Sequence, residues 1–82
     1  MDYVLPLSSL NIGQCGIILS NSLKSHLKKR LTELGFTTQR KICCVGQSPV
    51  GDPKAYLVCG AVIALRDTES SKIYVKLLGD QP

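Results

Sequence analysis

The chain has 82 residues, a net charge of +4 and a hydrophobic content of 44%, with one Phe and no Trp. This length predicts one domain over residues 1–82, whose folded part covers about residues 5–78. The composition excludes a disordered chain and predicts a hydrophobic core of Leu, Ile and Val. No apolar run approaches the ~20 residues that cross a bilayer, and the N-terminus lacks the pattern of a signal peptide, so we expect a cytoplasmic protein.

The first half of the chain predicts one strand followed by one helix. Gly13 and Gly16 bracket a turn or bulge before a strand at 17–19. A helix is then predicted over Leu23–Leu34, because one stripe along it is formed by Leu23, Leu27, Leu31 and Leu34. Gly35 stands where a left-handed residue ends many helices.

After the helix the hydrophobic period changes from 3.6 to 2, which predicts four strands at 41–45, 55–59, 61–65 and 73–77. The segment 49–53, Pro-Val-Gly-Asp-Pro, predicts a turn, and Cys59-Gly60 predicts a tight hairpin. Residues 67–71 predict a short helical turn that is capped by Asp67 or Thr68. The order β-α-β-β-β-β predicts a mainly β protein, a small barrel with one helix.

The four cysteines, at positions 15, 43, 44 and 59, are expected to be free thiols in a reducing cytosol. No Cys-x-x-Cys pair is present, and Cys15 and Cys44 are expected to be small core residues. His26 has no carboxylate cluster near it, so we expect no metal site and no cofactor.

The basic residues favour no particular ligand. Lys28, Lys29 and Arg30 are consecutive on the predicted helix and are interpreted as a solvated face. A basic nucleic-acid-binding module is the alternative function, but the sequence offers no aromatic stacking platform for bases. No catalytic triad or phosphate-binding loop is recognised, so no catalytic residue is assigned and no enzyme is expected.

Several motifs, in this order and spacing, resemble the FeoA family over residues 5–78. They are Gly13-x-x-Gly16, Leu31-x-x-Leu34-Gly35-Phe36, Pro49-Val50-Gly51-Asp52-Pro53, Gly60-x-x-Ile63-Ala64-Leu65-Arg66 and Glu69 followed by Ile73-x-Val75. The resemblance implies an SH3-like barrel and a cytosolic accessory or regulatory role in ferrous iron uptake, through interaction with a FeoB-type GTPase-linked membrane transporter. Where the family usually has Pro-Gly after the helix, this chain has Thr38-Gln39, and the Ala usual after the late Glu is Ser70.

Two surfaces are candidates for interactions. The first is a partner-binding surface, made of an apolar cleft at the helix end and the turn at 49–53. Its residues are Leu31, Leu34, Gly35, Phe36, Pro49, Gly51, Asp52, Pro53 and Arg66. The simpler interpretation of the turn is that it only closes a hairpin. The simpler interpretation of Arg66 is that it pairs with Asp67 or Glu69. The second is a self-association or docking face, predicted from strand alternation to carry the exposed residues Cys43, Leu57, Cys59 and Val62.

Overall fold

The computed structural model describes residues 3–21, 29–30, 32–33, 37 and 39–78. Its strands are β1 (Val4–Pro6), β2 (Cys15–Asn21), β3 (Lys41–Gln47), β4 (Lys54–Val58), β5 (Ala61–Leu65) and β6 (Ile73–Leu77). A 3₁₀ helix, Leu7–Ser9, follows β1, and a short helix, α1 (Asp67–Ser70), lies between β5 and β6. The protein is therefore mainly β, as predicted.

The sequence pattern located five of the six strands and missed β1. This strand has three residues, ends in Pro6, and forms only by pairing with β6, Leu5 opposite Val75. Three residues are too few to show a hydrophobic period of 2, so β1 can be recognised only from its pairing with a strand that is distant in sequence. Cys59 was predicted both to end a strand and to form a turn, and the structure places it in the turn.

The predicted helix over 23–34 falls largely outside the described residues. Lys29, Arg30, Thr32 and Glu33 are helical. The four leucines of the predicted stripe and Gly35 lie outside the described part of the chain.

The strands form one antiparallel sheet in the order β1-β6-β2-β3-β4-β5. β2 lies between β3 and β6, because its residues 15–17 pair with β3 and its residues 16–21 pair with β6. Register shifts at Leu19 in β2 and at Val45 in β3 mark bulges, which bend the sheet. The described sheet is curved like a small barrel but stays open, with β1 and β5 as its edges.

Ten buried hydrophobic residues form one core on the inner face of this sheet. They are Leu7, Leu10, Ile18, Ile42, Cys44, Tyr56, Val58, Leu65, Ile73 and Val75. The core is mostly aliphatic, as predicted, but its largest fully buried side chain is Tyr56. Leu7, which begins the 3₁₀ helix, and Leu10, which follows it, cover the core from outside the strands.

Gly13, before β2, and Gly16, in β2, have different structural roles. Gly13 has a φ of 93°, which L-residues rarely adopt, and its N–H donates to Cys44 O at 2.8 Å. Gly16 is buried, and a Cβ at this position would lie 3.0 Å from both Lys76 O and the Val75 side chain. Gly13 therefore makes the turn, whereas Gly16 lets β2 and β6 approach closely.

Gln39 occupies the position that the resemblance to the FeoA family matches to a glycine. Its φ is 71°, and its N–H donates to Ile18 O at 2.7 Å. The loop before β3 thus uses a left-handed residue although the glycine is absent.

A candidate partner-binding surface

The turn between β3 and β4 is held by backbone and side-chain hydrogen bonds. Ser48 N–H donates to Pro53 O at 3.0 Å, and Gly51 N–H donates to Ser48 O at 2.8 Å. The Ser48 hydroxyl donates to Asp52 O at 2.8 Å. Gly51 has a φ of 88° and the Asp52–Pro53 peptide bond is cis. These bonds fix the conformation of residues 48–53, which we call the 48–53 turn.

The side chain of Asp52 connects this turn to helix α1. Its Oδ1 accepts a hydrogen bond from Asp67 N–H at 2.9 Å, so the carboxylate satisfies a free N–H of the first helical turn. Asp52 was a candidate for partner contact, and the structure shows that its carboxylate has this internal, structural bond.

Arg66 is the N-cap of α1, so the prediction of Asp67 or Thr68 as cap is wrong. The Arg66 N–H donates to Glu69 Oε1 at 3.0 Å, which is half of a capping box. The expected link between Arg66 and Glu69 therefore exists, but the backbone of Arg66 makes it. The Arg66 residue itself is exposed beside the 48–53 turn.

The structure thus brings Pro49, Gly51, Asp52, Pro53 and Arg66 together at one end of the β4–β5 hairpin. The other predicted members of this surface, Leu31, Leu34, Gly35 and Phe36, lie outside the described residues.

Two residues near this surface were missed by sequence reasoning. Val50, at the tip of the 48–53 turn, is 88% exposed, the highest value for a large hydrophobic residue in the described part of the chain. An apolar residue between Pro and Gly-Asp was the available signal. Lys54 donates from Nζ to Ser8 O at 2.7 Å and to Leu10 O at 3.0 Å, which ties the 3₁₀ segment to β4. This bond joins residues more than 40 positions apart, so no local pattern indicates it.

The outer face of the sheet carries a row of side chains that crosses four strands. Directly paired residues place Cys15 beside Cys43, Cys43 beside Leu57, and Leu57 beside Val62. Leu57 is 38% exposed and Val62 is 64% exposed. Cys59 is exposed in the next turn. Three residues of the predicted self-association face are therefore adjacent, and a shallow depression lined in part by Cys43, Leu57 and Cys59 adjoins them.

Cys15 and Cys43 form a disulfide bond, so the prediction of four free thiols is wrong for this pair. The pairing register brings the two residues face to face on neighbouring strands, with their Cα atoms 4.0 Å apart. Cys15 is half-buried and not a core residue as predicted. Cys44 and Cys59 are not part of the disulfide; Cys44 is buried and Cys59 is exposed.

The inner face holds one buried phenol, that of Tyr56. Burial raises the pKa of Tyr56 above its ordinary value of 10.0, because the phenolate is disfavoured away from water. Its hydroxyl has no hydrogen-bond partner within the described residues. This group is enclosed in the core, so it has no access to a substrate.

Within the described ranges, no cluster of three or more His, Cys, Asp or Glu side chains is arranged to hold a metal ion, and His26 lies outside those ranges. Among the same residues, no helical segment is long and apolar enough to cross a membrane.

The fold and the exposed turn define a small SH3-like β protein, and comparison with known proteins identifies its family. A family model described as the FeoA domain matches residues 5–77. The chain therefore belongs to the FeoA family, a family associated with ferrous iron transport, and the resemblance inferred from the motifs is confirmed.

One curated relative is the Fe(2+) transport protein A/Fe(2+) transporter FeoB fusion protein of Porphyromonas gingivalis. It is 31% identical over 72 residues, which are 88% of this chain and 8% of the fusion protein. The chain thus corresponds to a small part of that relative.

Solved structures agree with the fold. The FeoA protein from Chlorobium tepidum matches with a TM-score of 0.88 and 26% identity, over 95% of this chain and 74% of that one. The zinc complex of Stenotrophomonas maltophilia FeoA matches with a TM-score of 0.75 and 29% identity, over 87% of this chain and 88% of that one. The latter protein is described as an SH3 domain protein and a candidate ferrous iron transport activating factor.

Proposed function

We propose that this chain is a cytoplasmic accessory or regulatory component of ferrous iron uptake, which acts by binding a FeoB-type transporter and catalyses no reaction. The observation that carries the proposal is the fusion of a related domain to FeoB in one polypeptide. Such a fusion keeps the two parts at a high effective concentration, as expected for modules that work together.

The 48–53 turn and Arg66 form the proposed contact. The turn presents the apolar side chain of Val50 at its tip, and its internal hydrogen bonds restrict its conformations before binding. A preorganised loop loses little conformational entropy when a partner binds, so exposed apolar area at its tip contributes efficiently to affinity. Arg66 adds a cation beside it, which suits a partner segment that combines an apolar residue with a carboxylate.

Binding of the purified chain to the cytoplasmic part of a FeoB-type transporter, measured by calorimetry, tests this surface. We expect Val50→Asp to weaken binding at least tenfold, because it places a charge where apolar surface becomes buried. Val45→Asp is the matched control, since Val45 is also exposed, at 43%, but lies on β3 outside the turn. The control is expected to bind like the unmodified chain.

Two results would overturn the proposal. If the unmodified chain does not bind, the proposed partner is wrong. If Val50→Asp and Val45→Asp lose affinity equally, the 48–53 turn is not the contact. A nucleic-acid-binding function would instead show affinity for oligonucleotides that falls steeply with salt, because phosphate contacts release counterions.

A further inference from the structure

Strand β5 is an edge of the described sheet, and its own sequence has none of the residues that protect sheet edges. Its sequence, Ala61-Val62-Ile63-Ala64-Leu65, contains no charge, no proline and no bulge. Edge strands of monomeric proteins usually carry at least one of these, because an unprotected edge pairs with other strands. The opposite edge, β1, has three residues and ends in Pro6.

The hairpin geometry shows which backbone groups of β5 face away from β4. Cys59 and Gly60 both have positive φ, 51° and 79°, as a two-residue type I′ turn requires. The closing pair, Val58 and Ala61, is then a hydrogen-bonded pair, and such pairs alternate along the ladder. The residues opposite Tyr56 and Lys54 therefore also bond to β4.

The two remaining residues of β5, Val62 and Ala64, direct their N–H and C=O groups to the open edge. Both residues are exposed. Within the described part of the chain, no strand pairs with this edge. Two donors and two acceptors are thus available in the spacing of an antiparallel ladder.

We propose that β5 is a homodimer interface, in which β5 of a second copy pairs antiparallel with β5 about a two-fold axis at Ile63. In this register Val62 lies opposite Ala64 of the second copy, and Ala64 lies opposite its Val62. All four outward groups of each strand are then satisfied, in four N–H···O=C bonds. The strand is therefore complementary to itself, as a two-fold interface requires.

Charge repulsion does not oppose a second copy in this register. β5 itself is uncharged, and Arg66 of each copy lies beyond the end of the strand, opposite Gly60 of the other. The two Arg66 residues are six positions apart along the ladder, about 20 Å, a distance at which exposed charges are largely screened. Val62, at the end of the outer apolar row, also becomes covered by the second copy, so apolar burial adds to the backbone bonds.

The oligomeric state tests this proposal without the transporter, so its outcome is independent of the proposed function. Sedimentation equilibrium is measured from about 1 to 500 µM, a range that detects dimers of micromolar affinity. The chain carries Cys59→Ser, so that the exposed thiol cannot link two copies. We expect a concentration-dependent monomer–dimer equilibrium. A monomer over the whole range would overturn the proposal.

A proline at position 64 separates the edge from other interfaces. Ala64→Pro removes an outward N–H that β4 does not use, and proline is tolerated at such edge positions. Each dimer loses two bonds, so we expect its dissociation constant to rise about tenfold or more. Ala64→Ser keeps the N–H and is expected to dimerise normally. A dimer that Ala64→Pro does not weaken would place the interface elsewhere.

Amide hydrogen exchange gives a second readout on the unmodified backbone. We expect exchange at Val62 and Ala64 to slow as protein concentration rises, because dimerisation protects these amides. Ile63, which bonds to β4 in the monomer, is the internal control and is expected to change little. Concentration-independent exchange at Val62 and Ala64 would overturn the proposal even if the proline variant failed to fold.

Discussion

Replacing Gly16 with Ala tests the close approach of β2 and β6. The new Cβ would lie 3.0 Å from Lys76 O, a backbone atom that cannot move without disturbing the ladder. Such overpacking costs about 1–3 kcal/mol. It outweighs the ~0.4–1 kcal/mol gained because alanine restricts the unfolded chain. We therefore expect Gly16→Ala to lower the free energy of unfolding.

Gly46 in β3 is the matched control. A Cβ there would meet its nearest neighbour, the Ala55 Cβ, at 3.9 Å, an ordinary van der Waals contact. Gly46→Ala therefore keeps only the entropic gain and is expected to stabilise the chain by about 0.4–1 kcal/mol.

Urea unfolding followed by circular dichroism measures both variants. The urea midpoints of Gly16→Ala and Gly46→Ala should differ by about 1 M, because the free energy of unfolding of a small domain falls by ~1–3 kcal/mol per M urea. Equal midpoints would refute the argument that β2 and β6 require glycine at position 16.

Three further predictions concern the disulfide, the buried phenol and the left-handed loop residue. Removing the Cys15–Cys43 bond by a double Ser substitution should lower the free energy of unfolding by about 3–4 kcal/mol, since it closes a loop between residues 28 positions apart; equal urea midpoints would contradict this. Above pH 10 the unfolded chain ionises Tyr56 while the folded chain, with its raised pKa, retains the proton, so stability should fall as pH rises. Urea unfolding at about pH 8 and 11 measures this fall in stability, which Tyr56→Phe should reduce. If the fall is unchanged in Tyr56→Phe, other groups cause it. Gln39→Gly should raise the thermal midpoint, because glycine relieves ~1–2 kcal/mol of left-handed strain; a lower midpoint would show that the Gln39 side chain matters more.

Local patterns in the sequence were sufficient for most of the sheet. The boundaries of β5 and β6 were predicted to the residue, because short, mainly apolar runs between clear turn signals leave little choice of where a strand begins and ends. The helical turn at Asp67 was also predicted. These elements depend on neighbours close in sequence.

The features that were missed depend on residues far apart in the chain. β1 forms against β6, the Lys54 ammonium bonds to carbonyl groups of the 3₁₀ segment, and Cys15 meets Cys43 only once β2 and β3 pair. The cysteines were assigned from the expected redox compartment, which carries no information about register.

The candidate surface shows the same division. The 48–53 turn was found from its Pro, Gly and Asp residues, but their turn chemistry could not reveal that the Asp52 carboxylate bonds to Asp67 N–H. That bond leaves Val50, rather than Asp52, as the exposed feature of the turn. The loop was thus located from the sequence, whereas the exposed apolar residue at its tip was not singled out, and the contact residues within the loop stay a prediction.

The most direct test of a role in transport is the rate of ferrous iron uptake by cells with and without this chain. We expect the rate to change when the chain is absent, and to be restored by the unmodified chain and by Val45→Asp but not by Val50→Asp, with both variants folded and equally abundant. Uptake that is the same with and without the chain would contradict the proposed function.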